Sequence, residues 1–247
     1  MNNNLFIKSI VFDWDKVEKD SYLREIEAFQ DLDKLDFNVP VTFFVGENGS
    51  GKSTLLEAIA VAHGFNPEGG TKNYAFSTYD SHSELYEAIN VAKGYRKEKI
   101  GYFLRAESFY NVATQEEEYA DYLHPSLKYH EKSHGESFLE LAQNYLQPNG
   151  LYLFDEPEAA LSPQRQLTLL MEIDECAKNG SQFIIVTHSP ILLGIPNANI
   201  YSFDTGQIHL CDYEDTDSYR VTKMFVNDRK AFLHRLLDGK SNEKFPF

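Results

Sequence analysis

Apolar residues along this chain follow two different rhythms. Runs rich in β-branched and aromatic side chains at residues 5–14 (LFIKSIVFDW) and 39–45 (VPVTFFV) predict strands. Pro40 marks the start of the second, where a missing N–H is tolerated. Residues 52–62 (KSTLLEAIAVA) switch to helical spacing and use good helix formers. A Gly- and Pro-rich loop follows at 66–72, then a predicted helix over 81–92 and a strand over 99–104. Residues 114–134 are polar, tyrosine-rich and acidic, with Glu116, Glu117 and Glu118 in a row, as on a solvated helix face. A helix over 136–146 is closed by Pro148, Asn149 and Gly150. Two all-apolar strands, 151–154 (LYLF) and 183–186 (FIIV), flank a helix over 163–177. Such runs suit a parallel sheet covered on both faces. A hairpin-like stretch near 200–210 and a final helix over 218–237, ended by Gly239, complete the pattern. With no internal repeat, residues 1–247 read as one compact α/β unit with an inserted lobe at about 70–147.

Charge narrows the range of partners. Against 23 Lys and Arg stand 38 Asp and Glu, a net charge of −15. A field of that sign repels phosphate backbones and anionic membranes, so nucleic acid binding by bulk charge is excluded while a local basic patch is not. Cys176 and Cys211 are too few for a disulfide framework, which favours a reducing, cytoplasmic setting. No apolar run reaches the ~20 residues of a membrane helix, and the first residues lack the pattern of a secretory signal.

The chemistry begins where the second strand meets the first helix. Residues 46–53 read G-E-N-G-S-G-K-S, matching G-x-x-x-x-G-K-[S/T] at every fixed position. Glycines let the backbone curl so that successive N–H groups face phosphate oxygens, and the helix beginning there adds its positive end. Lys52 would reach the β- and γ-phosphates, and the Ser53 hydroxyl would ligate Mg²⁺. The expected nucleotide contacts are Gly46, Glu47, Asn48, Gly49, Ser50, Gly51, Lys52, Ser53 and Thr54.

Two adjacent acids end the strand at 151–154. Asp155 is placed to hold Mg²⁺, and Glu156 to polarise the water that attacks the γ-phosphate. The next strand leads into Thr187-His188-Ser189-Pro190. One helix and a return strand separate Asp155 from His188, so the histidine is expected beside Asp155 at the same sheet edge, near the γ-phosphate.

Together these residues resemble the ABC-type P-loop ATPase domain, in its soluble variety related to SMC, RecF and OLD heads. The resemblance spans roughly residues 3–210. It implies a P-loop NTPase fold with an N-terminal antiparallel β-subdomain and an inserted helical lobe. Residues 46–53 resemble Walker A, 151–155 Walker B, Glu156 the catalytic glutamate, 160–162 the D-loop and His188 the switch histidine. Residues 133–137 (SHGES) stand where the family's signature is expected, so Ser133 and Gly135 would contact an ATP held by a second subunit. Ser133 and Glu136 equally fit a capping box at a helix start. The resemblance implies ATP and Mg²⁺ as ligands and a homodimer closed head-to-tail around two ATPs.

Some family features are missing. The strand over 99–104 leads into Arg105-Ala106-Glu107-Ser108 with no Q-loop glutamine; Gln115 comes later, and Glu107 is the candidate substitute. The adenine-stacking aromatic has four candidates, Phe12, Trp14, Tyr22 and Phe29. The interval between Lys52 and Ser133 leaves no room for long coiled-coil arms. An ATP-hydrolysing switch on an unidentified partner is the leading expectation. The alternatives are the ATP subunit of a membrane transporter, the ATPase of a DNA-repair or anti-phage complex, and a non-hydrolysing, ATP-gated scaffold.

Overall fold

A computed structural model describes residues 4–72, 83–105 and 144–237. Its centre is a sheet of strands β3 (Val41–Val45), β4 (Gly70–Thr71), β6 (Ile100–Arg105), β7 (Gly150–Asp155), β8 (Gln182–Val186), β9 (Asn199–Ser202) and β10 (His209–Cys211). Their order is β10-β9-β3-β8-β7-β6-β4. The five strands from β9 to β6 run parallel, and β10 and β4 are antiparallel edges. Every residue of β3 and β8 is buried, which explains their unbroken apolar runs. Side chains alternate between two cores. Phe44 joins Leu55, Leu56 and Ile59 of helix α1 (Lys52–His63) on one face. Val41, Phe43 and Val45 join Leu169 and Ile173 of helix α3 (Pro163–Lys178) on the other.

A second sheet, ordered β2-β1-β5, joins β1 (Ile7–Phe12), β2 (Lys34–Asp36) and β5 (Ile89–Lys93), all antiparallel. The buried amide of Gln182 ties it to the central sheet. Its Oε1 accepts from the Phe6 and Ile7 amides at 2.8 and 2.9 Å, and its Nε2 donates to the Ile7 carbonyl at 2.8 Å. The architecture is the α/β P-loop NTPase fold with an N-terminal antiparallel β-subdomain.

Several boundaries move. The helix expected over 81–92 shrinks to α2 (Leu85–Ala88), because from Ile89 the chain pairs with β1, Ile89 opposite Phe12. That ladder outweighs local helix preference. The first strand stops at Phe12, and Trp14–Lys16 turns into a 3₁₀ helix. The final helix is two, α4 (Asp217–Asn227) and α5 (Arg229–Leu237). Asp228 breaks them apart with φ −144° and accepts from the Ala231 amide at 3.0 Å, as an N-cap does. The hairpin near 200–210 is present as β9 and β10. Within the stretch at about 70–147, β5 and β6 belong to the two sheets. Residues 73–82 and 106–143 lie outside the described residues, and with them Glu107, Gln115, the acidic run and most of the helix over 136–146; Gly239 does too. Among the described residues no helix is long and apolar enough to cross a membrane.

Candidate functional site

The glycine loop leaves the buried end of β3 and enters α1 through three positive-φ glycines, Gly46 (141°), Gly49 (84°) and Gly51 (97°). Gly51 is fixed by packing as well as by φ. A Cβ there would stand 2.9 Å from both Ile26 and Phe29, so the loop lies directly on the turn Glu27–Phe29. Phe29 is thereby buried beneath the loop. Phe12 is buried also, and Trp14 stacks on it with ring centroids 5.6 Å apart. Tyr22 alone of the four aromatic candidates is exposed, at 54%.

Lys52 folds back over the loop. Its Nζ donates to the carbonyls of Gly46 and Glu47 at 2.8 and 2.7 Å and to Ser50 Oγ at 3.3 Å. Burial lowers the pKa of its ammonium, while the negative charges of Asp204, Glu156, Asp155 and Glu47 act to raise it. Those loop carbonyls hold the lysine across the cradle in which phosphate oxygens would lie.

The two acids at the end of β7 arrive as the sequence predicts. Ser53 Oγ donates to Asp155 Oδ1 at 2.9 Å, joining the first turn of α1 to the strand end. Asp155 pairs in register with Val186 of β8 on one side and Arg105 of β6 on the other. Glu156 takes a left-handed φ of 49°, a conformation that costs a non-glycine residue about 1–2 kcal/mol. Its amide donates to the Val186 carbonyl at 3.0 Å, which holds it there. The turned carboxylate stands 3.8 Å from His188 Nε2. Both side chains are about half open to solvent.

His188 is held from behind. Its amide donates to Glu158 Oε1 at 2.6 Å. Burial raises the Glu158 pKa, and hydrogen bonds from Thr187 and the His188 amide oppose that rise. The Ser189 hydroxyl accepts from the Ile191 and Leu192 amides at 3.1 Å each and donates to Gln166 on α3 at 2.7 Å. In the 160–162 stretch, Ser162 caps α3, accepting from the Arg165 amide at 3.4 Å ahead of Pro163.

The structure thus brings Lys52, Ser53, Asp155, Glu156 and His188 to one sheet edge with the glycine loop. Thr54 follows on α1, half-buried. Ser133 and Gly135 lie outside the described residues. Pattern reading missed Asp204, which follows β9, the strand beside β3. Its Oδ1 accepts from the Glu47 amide at 2.9 Å, while Oδ2 accepts from Ser202 Oγ at 3.2 Å. The available signal was the one used for Asp155, an acid just beyond an apolar strand. A cleft of about 1220 Å³ opens between Glu47, Glu156 and His188 on one side and Asp212, Asp217 and Arg220 on the other. Among the described residues, no cluster of three or more His, Cys, Asp or Glu side chains could hold a metal by itself.

The family model described as an AAA domain matches residues 22–145. A second AAA-domain model, whose description names the AbiEii toxin and a type IV TA system, matches residues 129–194. No curated protein matches the chain. Among solved structures, the SMC head domain from Thermotoga maritima aligns at 14% identity and TM-score 0.46, covering 84% of this chain and 98% of that one. A protein described as a metal-chelate type ABC transporter, in an inward-facing conformation, aligns at 18% identity and TM-score 0.41, covering 76% and 80%. The Smc head domain with coiled coil and joint from Pyrococcus yayanosii aligns at 25% identity and TM-score 0.28, covering 40% and 20%. The family model spans half the chain, and its match includes the whole glycine loop. The chain belongs to the AAA-domain family of P-loop ATPases.

Proposed function

We propose that this protein binds ATP in the glycine loop and hydrolyses it, and that two copies close head-to-tail around two ATPs to act as a switch on a partner. The observation that carries the reading is the convergence of Lys52, the Ser53–Asp155 contact and the Glu156–His188 pair at one sheet edge. The loop amides and the N-terminus of α1 would bind the phosphates. Lys52 would exchange its carbonyl partners for β- and γ-phosphate oxygens. Glu156 would orient the attacking water and accept its proton, and His188 would hold the glutamate in register beside the γ-phosphate.

The residues fit Mg²⁺. Ser53 and Asp155 are already in contact, and with so few protein ligands the ion would keep waters and substrate oxygens in its shell, as Mg²⁺ prefers. When bound, Mg²⁺ would neutralise charge developing on the phosphoryl oxygens. In-line attack would then depend mainly on positioning and electrostatics. In the closed dimer, Ser133 and Gly135 of one copy would meet the γ-phosphate held by the other.

The test pairs phosphate release with oligomeric state. Wild-type protein is expected to release phosphate from Mg-ATP. Glu156→Gln is expected to bind ATP, turn over at least about 100-fold more slowly and accumulate as a dimer. Undiminished turnover in Glu156→Gln would remove the glutamate from its role, and a monomer in saturating ATP would remove the dimer.

A further inference from the structure

The Ser53–Asp155 contact has a neighbour that the ATPase motifs do not use. Glu57 lies one helical turn beyond Ser53 on α1, so the two side chains leave the same face of the helix. Arg105 ends β6 directly opposite Asp155 of β7. Arg105 Nη1 donates to Glu57 Oε2 at 2.7 Å and to the Pro67 carbonyl at 3.2 Å. The other oxygen of Glu57 accepts from the Ser83 amide at 3.0 Å. Two rungs therefore tie one face of α1 to adjacent strand ends, Ser53 to β7 and Glu57 to β6. The second rung is largely shielded from water, with side chains 10% and 22% exposed, so its charges are weakly screened and its geometry is held.

We propose that Glu57 and Arg105 are positioning residues that set the approach of Ser53 to Asp155 and thereby the affinity for Mg²⁺-nucleotide, a role that rests on the ATPase reading above. The planar guanidinium suits the task because one rigid group reaches both a carboxylate and a backbone carbonyl. Neither residue belongs to the glycine loop at 46–53. Loosening this rung lets α1 shift against β7, and Ser53 and Asp155 then have to be ordered by the metal itself.

The experiment measures binding of a fluorescent ATP analogue to the whole chain with Mg²⁺ and with EDTA, alongside thermal melting and phosphate release. Arg105→Gln and Glu57→Gln are each expected to weaken Mg²⁺-dependent nucleotide affinity about tenfold, the scale on which outer partners tune metal sites. Affinity in EDTA should stay within about twofold, since the loop amides are untouched. The double variant should lose no more than the worse single one, because the two residues act as one unit. Arg105→Lys, which keeps the charge on Glu57, should recover part of the loss, and it decides the matter if the glutamine variants fail to fold. Unchanged Mg²⁺ dependence in all variants, with lowered melting temperatures alone, would overturn the proposal. Wild-type protein that binds nucleotide with Mg²⁺ but releases no phosphate would overturn the hydrolytic reading instead, while the affinities still judge the pair.

Discussion

The carboxylate of Asp204 accepts a hydrogen bond from the Glu47 amide at 2.9 Å, across 157 positions of sequence. It thereby anchors the first arm of the glycine loop to the end of β9. It is also foremost among the negative charges that raise the Lys52 pKa.

Replacing Asp204 separates these two effects. Asp204→Ala removes the acceptor and should weaken nucleotide binding about tenfold, the worth of one hydrogen bond to a charged group. Asp204→Asn keeps an acceptor oxygen and removes a negative charge near the phosphates, so its affinity should equal or exceed that of wild type. Isothermal titration with ATP distinguishes the pair; equal losses in both would show that the charge itself is required.

His188→Ala should slow phosphate release by about 10- to 100-fold while leaving ATP affinity nearly unchanged. The histidine lies against Glu156 at the mouth of the cleft, whereas the loop and Lys52 are untouched. Single-turnover kinetics separate the two readouts. A large loss of affinity would instead place His188 in ground-state binding.

Gly51→Ala should destabilise the fold by at least about 2 kcal/mol, since it combines a left-handed backbone with overpacking. The added methyl would meet Ile26 and Phe29 at 2.9 Å. Urea denaturation measures the loss. Gly49→Ala has the same kind of φ but nothing within 4 Å of its Cβ, so it should cost less.

Acid should unfold the protein partly through His63. Its ring is buried at the end of α1, its Nε2 lies 3.1 Å from Glu98, and Lys72 and Lys93 also act on it. Burial, then the Lys72 charge, push its pKa down to about 4, against the pull of Glu98. The unfolded chain therefore binds more protons than the folded one below the ordinary histidine value. This contribution, about 3 kcal/mol, is present in full above pH ~6.5 and is lost as pH falls towards ~4. Urea midpoints taken across that window should fall more steeply for wild type than for His63→Gln.

Charge should make dimer formation conditional on nucleotide. Two copies of a chain carrying −15 repel each other, most strongly at low salt. Sedimentation of nucleotide-free protein at low ionic strength should give a monomer. A dimer in the Glu156→Gln variant should appear only with ATP and Mg²⁺.

Sequence alone determined the glycine loop, the helix it opens and the places of the acids. G-x-x-x-x-G-K-S needs only local backbone freedom and a helix start, and the acids follow apolar strands whose burial is written in their composition. The same logic gave the central sheet, because a strand buried on both faces leaves a continuous apolar signature. Tertiary structure decided the rest. Residues 89–93 became a strand only because β1 offers a partner, and a ladder between distant segments leaves no local pattern. Glu158 and the Glu57–Arg105 pair look like ordinary charged residues in sequence. Their partners depend on which strands lie side by side, and strand order is set by packing across the whole sheet.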